Sequence, residues 1–131
     1  MMQDNQLVGK RILLAEDEGS FRKVLREVLS EGRHVVVEAN NGAEALSCFK
    51  KQPFDLVLLD LEMPFMKGDE LAVRIKQLAP HQPVLMLTGH ARKPGRDNPV
   101  DAILKKPFDF DRLRYVMASL LPKDGTTVRL G

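Results

Sequence analysis

Few aromatic residues, a single cysteine and no long apolar or like-charged run set the first limits on this sequence. The lone cysteine, Cys48, excludes an intrachain disulfide and a metal site built from several thiolates. No apolar stretch approaches the roughly 20 residues of a membrane helix, and the first ten residues lack the apolar core of a signal peptide. We therefore expect a soluble, cytoplasmic protein without a direct membrane partner.

Charge is also close to balanced, with 20 Lys and Arg against 18 Asp and Glu and a net charge of +2. No basic run marks a nucleic-acid-binding tail, so nucleic acid is not expected as a direct partner. The 131 residues suffice for one domain with a hydrophobic core. We predict a leader over residues 1–9, this domain over 10–121, and a tail or linker over 122–131.

Apolar runs and helical spacings alternate along the domain. Short apolar runs predict five strands, at residues 10–15, 35–37, 56–59, 83–87 and 101–105. Helical spacing predicts helices at residues 20–30, 43–49 and 69–78, and a last helix between Asp109 and Pro122. Ser20 is the expected N-cap of the first helix, and Gly32 lies just past its end. Alternating strands and helices predict an α/β fold, with a parallel sheet covered on both faces.

The segment DLVLLDLEMPFMKG, residues 55–68, is the centre of this pattern. Its apolar run is typical of a strand buried on both faces, which ends at the carboxylate of Asp60. In open α/β sheets, ligands collect at the carboxyl ends of the strands. Asp60 is also a favoured turn residue ahead of Pro64 and Gly68. The segment alone leaves both interpretations open.

Polar groups at the ends of the other strands favour the functional interpretation. Glu16-Asp17, Asp60, Thr88 and Lys105-Lys106 all follow predicted strands and should meet at one edge of the sheet. Three clustered carboxylates repel one another, and a hard cation such as Mg²⁺ would relieve this repulsion. A hydroxyl and an ammonium group suit the oxygens of a phosphoryl group. The edge therefore suits an aspartyl phosphate, with a carboxylate as the nucleophile.

Four ordered segments resemble the markers of the response-regulator receiver domain of two-component signalling. They are ILLAEDE, DLVLLDLEMP with Gly68, LTG and KKPF, and the match covers about Lys10 to Leu121. The resemblance implies a flavodoxin-like, doubly wound fold of three layers, with strand order 2-1-3-4-5 and five helices. It also implies a phosphorylation switch that catalyses only its own phosphorylation and dephosphorylation.

The resemblance assigns metal ligands to particular residues. Asp17 would bind Mg²⁺ directly beside Asp60, and Glu16 would act through a metal-bound water. The backbone carbonyl of Glu62 would supply a further ligand.

The resemblance also assigns the phosphoryl contacts. Asp60 would accept the phosphoryl group from a histidine kinase or a phosphotransfer protein, and the signal would pass to a downstream protein partner. Thr88 would hydrogen-bond the phosphoryl group, and Lys106, immediately before Pro107, would form its salt bridge. The Lys106-Pro107 bond is a candidate cis peptide.

Two features depart from the family pattern. Ile103 stands where an aromatic residue is common. The segment from Thr88 to Lys106 is a few residues short and contains Pro94 and Pro99, which predicts a shortened or vestigial fourth helix. We expect at most a short helical turn around His90 to Lys93.

Three alternative functions would use the same edge of the sheet or the same fold. An aspartate-nucleophile phosphatase of the haloacid dehalogenase type would use Glu62 as its general acid/base, but Met63-Pro64 and the absence of a cap domain disfavour it. An FMN binder would need a hydroxyl- and glycine-rich loop where Glu16-Asp17-Glu18 stands. The intact Asp60, Thr88 and Lys106 disfavour a pseudo-receiver that binds partners without phosphorylation.

Overall fold

The computed structural model describes residues 9–89 and 98–121 of the chain. Helices and strands alternate in these residues, in the order β1 Arg11–Ala15, α1 Gly19–Ser30, β2 Val35–Ala39, α2 Gly42–Lys51, β3 Leu56–Asp60, α3 Gly68–Leu78, β4 Val84–Thr88, β5 Ala102–Lys105 and α4 Phe110–Leu120. The strands form one parallel sheet in the order β2-β1-β3-β4-β5. The predicted doubly wound, flavodoxin-like fold is confirmed.

The sheet is covered by helices on both faces, as its continuous apolar strands require. The five residues of β3 and the five of β4 are all buried. One core cluster packs the sheet against α2 and α3, and a second packs it against α1 and α4. This arrangement places the polar ends of β1, β3 and β4 at one edge of the sheet.

Side-chain caps fix the starts of two helices. The side chain of Asn41 accepts a hydrogen bond from the Glu44 amide at the start of α2, and Asp109 does the same for the Arg112 amide at the start of α4. Both bonds are 2.8 Å long. They satisfy amide groups that have no partner within the helix.

The prediction of Ser20 as the N-cap of α1 is wrong. The helix begins one residue earlier, at Gly19, and Glu18 is its N-cap without a side-chain capping bond. Ser20 lies within the first turn, where its hydroxyl donates to the Glu18 carboxylate at 2.6 Å. Gly32 does follow the helix, but it is Arg33 that takes the left-handed conformation, with φ of 64°.

Several expectations fall outside the described residues. Residues 90–97 lie between β4 and β5, so the shortened helix and the turn at His90 to Lys93 cannot be compared with the structure. The same holds for most of the leader and for the tail at 122–131. Within residues 9–89 and 98–121, no helix has the length and apolar character needed to cross a bilayer.

Candidate functional site

Three carboxylates meet where β1 and β3 end. Glu16 directly follows β1 and is 1% exposed, and Asp60 is the last residue of β3 and is 5% exposed. Asp17 is exposed beside them. One oxygen from each of the three residues lies within 4.8 Å of the others. The structure therefore brings together three of the carboxyl groups that the sequence singled out.

The backbone around Glu16 is held by groups from two other elements. The Glu16 amide donates to the Ala39 carbonyl at the end of β2, at 3.0 Å. The guanidinium of Arg22, on α1, donates to the Glu16 carbonyl at 2.8 Å and to the Glu38 carboxylate at 3.0 Å. Sequence reasoning missed Arg22. Its position one turn into the helix does not distinguish it from an ordinary polar residue of an amphipathic helix.

The loop after Asp60 folds back closely over the strand end. The Gly68 amide donates to the Leu61 carbonyl at 2.8 Å. A Cβ atom at Gly68 would lie 2.2 Å from the Asp60 carbonyl oxygen, so only glycine fits there without a backbone shift. The glycine at the end of this segment thus fixes the path of the loop that borders Asp60.

Lys106 joins the site from the loop after β5. Its ammonium nitrogen lies 3.1 Å from Asp60 Oδ1 and 3.6 Å from Glu16 Oε1. The Lys106 amide donates to the Thr88 carbonyl at 2.8 Å, which ties this loop to the end of β4. Thr88 itself is 3% exposed. The Lys106-Pro107 bond is cis, as the resemblance suggested.

Lys105 and Glu62 lie close to site residues along the chain, but their side chains have other surroundings. Lys105 pairs with Thr88 in the sheet and its side chain is exposed. The Glu62 carboxylate forms an ion pair with Lys67, with Oε1 3.1 Å from Nζ. Of the two adjacent lysines, Lys106 is the one in contact with Asp60.

Burial changes the protonation of the acids. The pKa of Glu16 is raised from 4.5 to about 7, mainly by removal from water and next by the nearby Asp60 carboxylate. Burial also raises the pKa of Asp60, while the Lys106 ammonium opposes this shift. The negative charge of these carboxylates is therefore unfavourable where it is buried, and a bound cation would offset this cost.

The donor set fits a hard divalent cation. Within the described part of the chain, Glu16 Oε1 is buried and accepts no hydrogen bond. Glu16 is one of the three residues, with Asp17 and Asp60, that each offer a carboxylate oxygen to the cluster. Mg²⁺ and Ca²⁺ prefer oxygen ligands of this kind. The arrangement can thus hold a cation beside a carboxylate that also contacts a lysine.

Comparisons with known proteins agree on one family. The family model described as the response regulator receiver domain matches residues 12–118. The response regulator receiver protein CpdR of Brucella abortus is 41% identical over 103 residues, which cover 76% of this chain and 86% of CpdR. The autoinducer 1 sensor kinase/phosphatase LuxN of Vibrio campbellii is 32% identical over 116 residues, which cover 86% of this chain but only 14% of LuxN.

A solved structure shows the same architecture. The response regulator TrrA of Thermotoga maritima, solved in complex with Mg²⁺ and BeF, is 36% identical to this chain, with a TM-score of 0.78. The alignment covers 86% of this chain and 99% of TrrA.

Proposed function

Because the chain belongs to the response regulator receiver family, we propose that it is a phosphorylation switch whose acceptor is Asp60. One observation carries the proposal: the buried Asp60 carboxylate lies 3.1 Å from the Lys106 ammonium, inside a cluster with Glu16 and Asp17. An aspartate whose only role was to cap a turn would need neither the lysine nor the two other carboxylates beside it.

Mg²⁺ is the proposed cofactor, with Asp17 and Asp60 as direct ligands, Glu16 acting through a bound water and the Glu62 carbonyl completing the set. The oxygen-only donors and the buried Glu16 Oε1 without a hydrogen-bond partner support this choice. When bound, the ion would neutralise carboxylate charge and the charge of the incoming phosphoryl group.

In the proposed reaction, an oxygen of Asp60 attacks the phosphorus of the donor. A P–O bond forms to Asp60, and the P–N bond of a phosphohistidine, or the P–O bond of acetyl phosphate, breaks with its electron pair leaving on the donor. Lys106 stabilises the negative charge on the transferred oxygens, and the Thr88 hydroxyl donates a hydrogen bond to one of them. Water later cleaves the acyl phosphate, which releases inorganic phosphate and restores Asp60.

The proposed partners follow from this chemistry. A histidine kinase or a phosphotransfer protein would supply the phosphoryl group, and a downstream protein would recognise the changed surface. The similarity to part of a sensor kinase/phosphatase supports a kinase as the source of the phosphoryl group. We also propose a cytoplasmic location, and a receiver domain over residues 10–121.

The test is labelling with acetyl phosphate in the presence and absence of Mg²⁺, followed by intact-mass measurement. We expect one added phosphoryl group, only with Mg²⁺, and none in Asp60→Asn. Asp55→Asn is the matched control, because Asp55 precedes β3 at its other end, where its carboxylate accepts from the Arg11 amide. Equal labelling of the Asp60→Asn protein would refute the assignment.

A further inference from the structure

The ammonium of Lys106 lies over an aromatic ring as well as beside two carboxylates. Its nitrogen is 4.8 Å from the centroid of the Phe21 ring. A cation over the face of an aromatic ring is attracted by the ring's quadrupole. Lys106 therefore has a third partner, on α1, besides Asp60 and Glu16.

The Phe21 ring is held in place by its own packing. Phe21 is partly buried against the core cluster that joins the sheet to α1 and α4. The edge of one ring meets the face of the other where Phe21 contacts Phe108, with centroids 6.2 Å apart and planes at 62°. Both rings line a cavity of about 310 Å³ beside Lys106. Packing against Phe108 and the core therefore limits the positions that the ring can take.

The three partners of Lys106 differ in what else they can bind. The carboxylates of Asp60 and Glu16 are the groups proposed to share their oxygens with Mg²⁺, and Asp60 also receives the phosphoryl group. The face of the Phe21 ring has no ligand atom for a cation of this kind. Mg²⁺ and the phosphoryl group therefore compete with the Lys106 ammonium for the carboxylates but not for the Phe21 ring.

We propose that Phe21 is a positioning residue for Lys106, which keeps the ammonium at the phosphoryl site while the carboxylates bind other groups. This role rests on the proposed function of Asp60. The contact of Phe21 with the site is the one with the Lys106 ammonium, so Phe21 would act through Lys106. Packing alone would need an apolar side chain at residue 21, whereas positioning needs the face of an aromatic ring.

The test compares Phe21→Leu, which keeps an apolar side chain, with Phe21→Tyr, which keeps the ring. With acetyl phosphate and Mg²⁺, we expect Phe21→Leu to label about three- to tenfold more slowly than the wild type, as loss of a cation–π contact implies. Phe21→Tyr should label at close to the wild-type rate. Phe49→Leu is the matched control, because Phe49 stacks on Phe54 in the opposite core cluster, and it should label normally.

A double-mutant cycle separates positioning from packing. In a Lys106→Met background, Phe21→Leu should cause no further slowing, because no ammonium remains to be positioned. A second readout uses the metal-free protein, in which the ring current of Phe21 should shift the proton NMR signals of the Lys106 ε-methylene upfield. Phe21→Tyr should keep this shift and Phe21→Leu should abolish it.

The outcomes distinguish the two proposals. If the effects of Phe21→Leu and Lys106→Met multiply independently, or the Lys106 signals are the same in Phe21→Leu, the role of Phe21 is rejected while Asp60 phosphorylation stands. If the wild-type protein is not labelled at all, the proposed function fails and this role of Phe21 fails with it.

Discussion

The ammonium nitrogen of Lys106 lies 3.1 Å from Asp60 Oδ1, whereas Lys105, its neighbour in the chain, has an exposed side chain. Successive side chains at a strand end point to opposite sides, so both ammonium groups cannot serve one site. We expect Lys106→Ala to slow labelling by acetyl phosphate roughly tenfold to a hundredfold, since a hydrogen bond to a charged group contributes about 1.5–3 kcal/mol. Lys105→Ala is the control and should label normally. A larger loss in Lys105→Ala would contradict the assignment.

Glu16 should make the metal-free protein less stable as the pH rises. Its pKa is raised to about 7, so between about pH 4.5 and 7 the folded state binds more protons than the unfolded state. The free energy of unfolding therefore falls as the pH rises through this window. Glu16→Gln should remove this dependence and, at pH 8, raise the stability by roughly 1–3 kcal/mol, since one pKa unit corresponds to about 1.4 kcal/mol.

Urea unfolding in EDTA at pH 5 and pH 8 measures this effect, and Mg²⁺ titration should show weaker binding to Glu16→Gln. Glu27→Gln, an exposed substitution on α1, is the matched control. Parallel pH profiles for the wild type and Glu16→Gln would show that burial of this carboxyl does not control stability.

Gly68→Ala should destabilise the protein and disturb the loop beside Asp60. The added Cβ would lie 2.2 Å from the Asp60 carbonyl oxygen and 2.8 Å from the Leu61 Cα. Overpacking of this kind costs about 1–3 kcal/mol, and more where backbone must move. Gly19→Ala is the control, because the nearest atom to its Cβ is an Arg22 side-chain nitrogen at 3.9 Å. Thermal unfolding that shows equal stability for the two variants would argue against a tight approach at Gly68.

The signal should leave the site without an aromatic switch. Ile103 lies on β5 with 48% of its surface exposed and has no ring to rotate. We predict that residues 90–100 gain order when the phosphoryl site is filled, although 90–97 lie outside the described residues. Amide exchange with and without beryllofluoride should show increased protection there. Protection confined to α1 and the loop after β3 would mean that the signal leaves by another face.

The strands were predictable because buried strands consist largely of apolar residues. β3 and β4 are apolar runs that end in Asp60 and Thr88, in a sheet that is covered on both faces, and their predicted ends agree with the structure to within one residue. β2 is two residues longer than predicted, since Glu38 and Ala39 continue it beyond its β-branched run. Their place in the strand comes from pairing with β1, which the local sequence does not show.

The cluster of acids was predictable for a topological reason. Parallel strands bring their carboxyl ends to one edge, so Glu16 and Asp60 had to be close once the fold was inferred. The contacts of Phe21 and Arg22 with the site were not predictable. They depend on how α1 lies against the sheet, and both residues fit an ordinary amphipathic helix equally well.

The most direct test of the central claim is to identify the phosphorylated residue chemically. Reduction with borohydride converts an aspartyl phosphate to homoserine, so protein treated with acetyl phosphate and Mg²⁺ can be reduced, digested and sequenced by tandem mass spectrometry. We predict homoserine at residue 60 and at no other aspartate. Homoserine at Asp17 or Asp55, or none at all in protein that carries a phosphoryl group, would contradict the assignment of Asp60 as the acceptor.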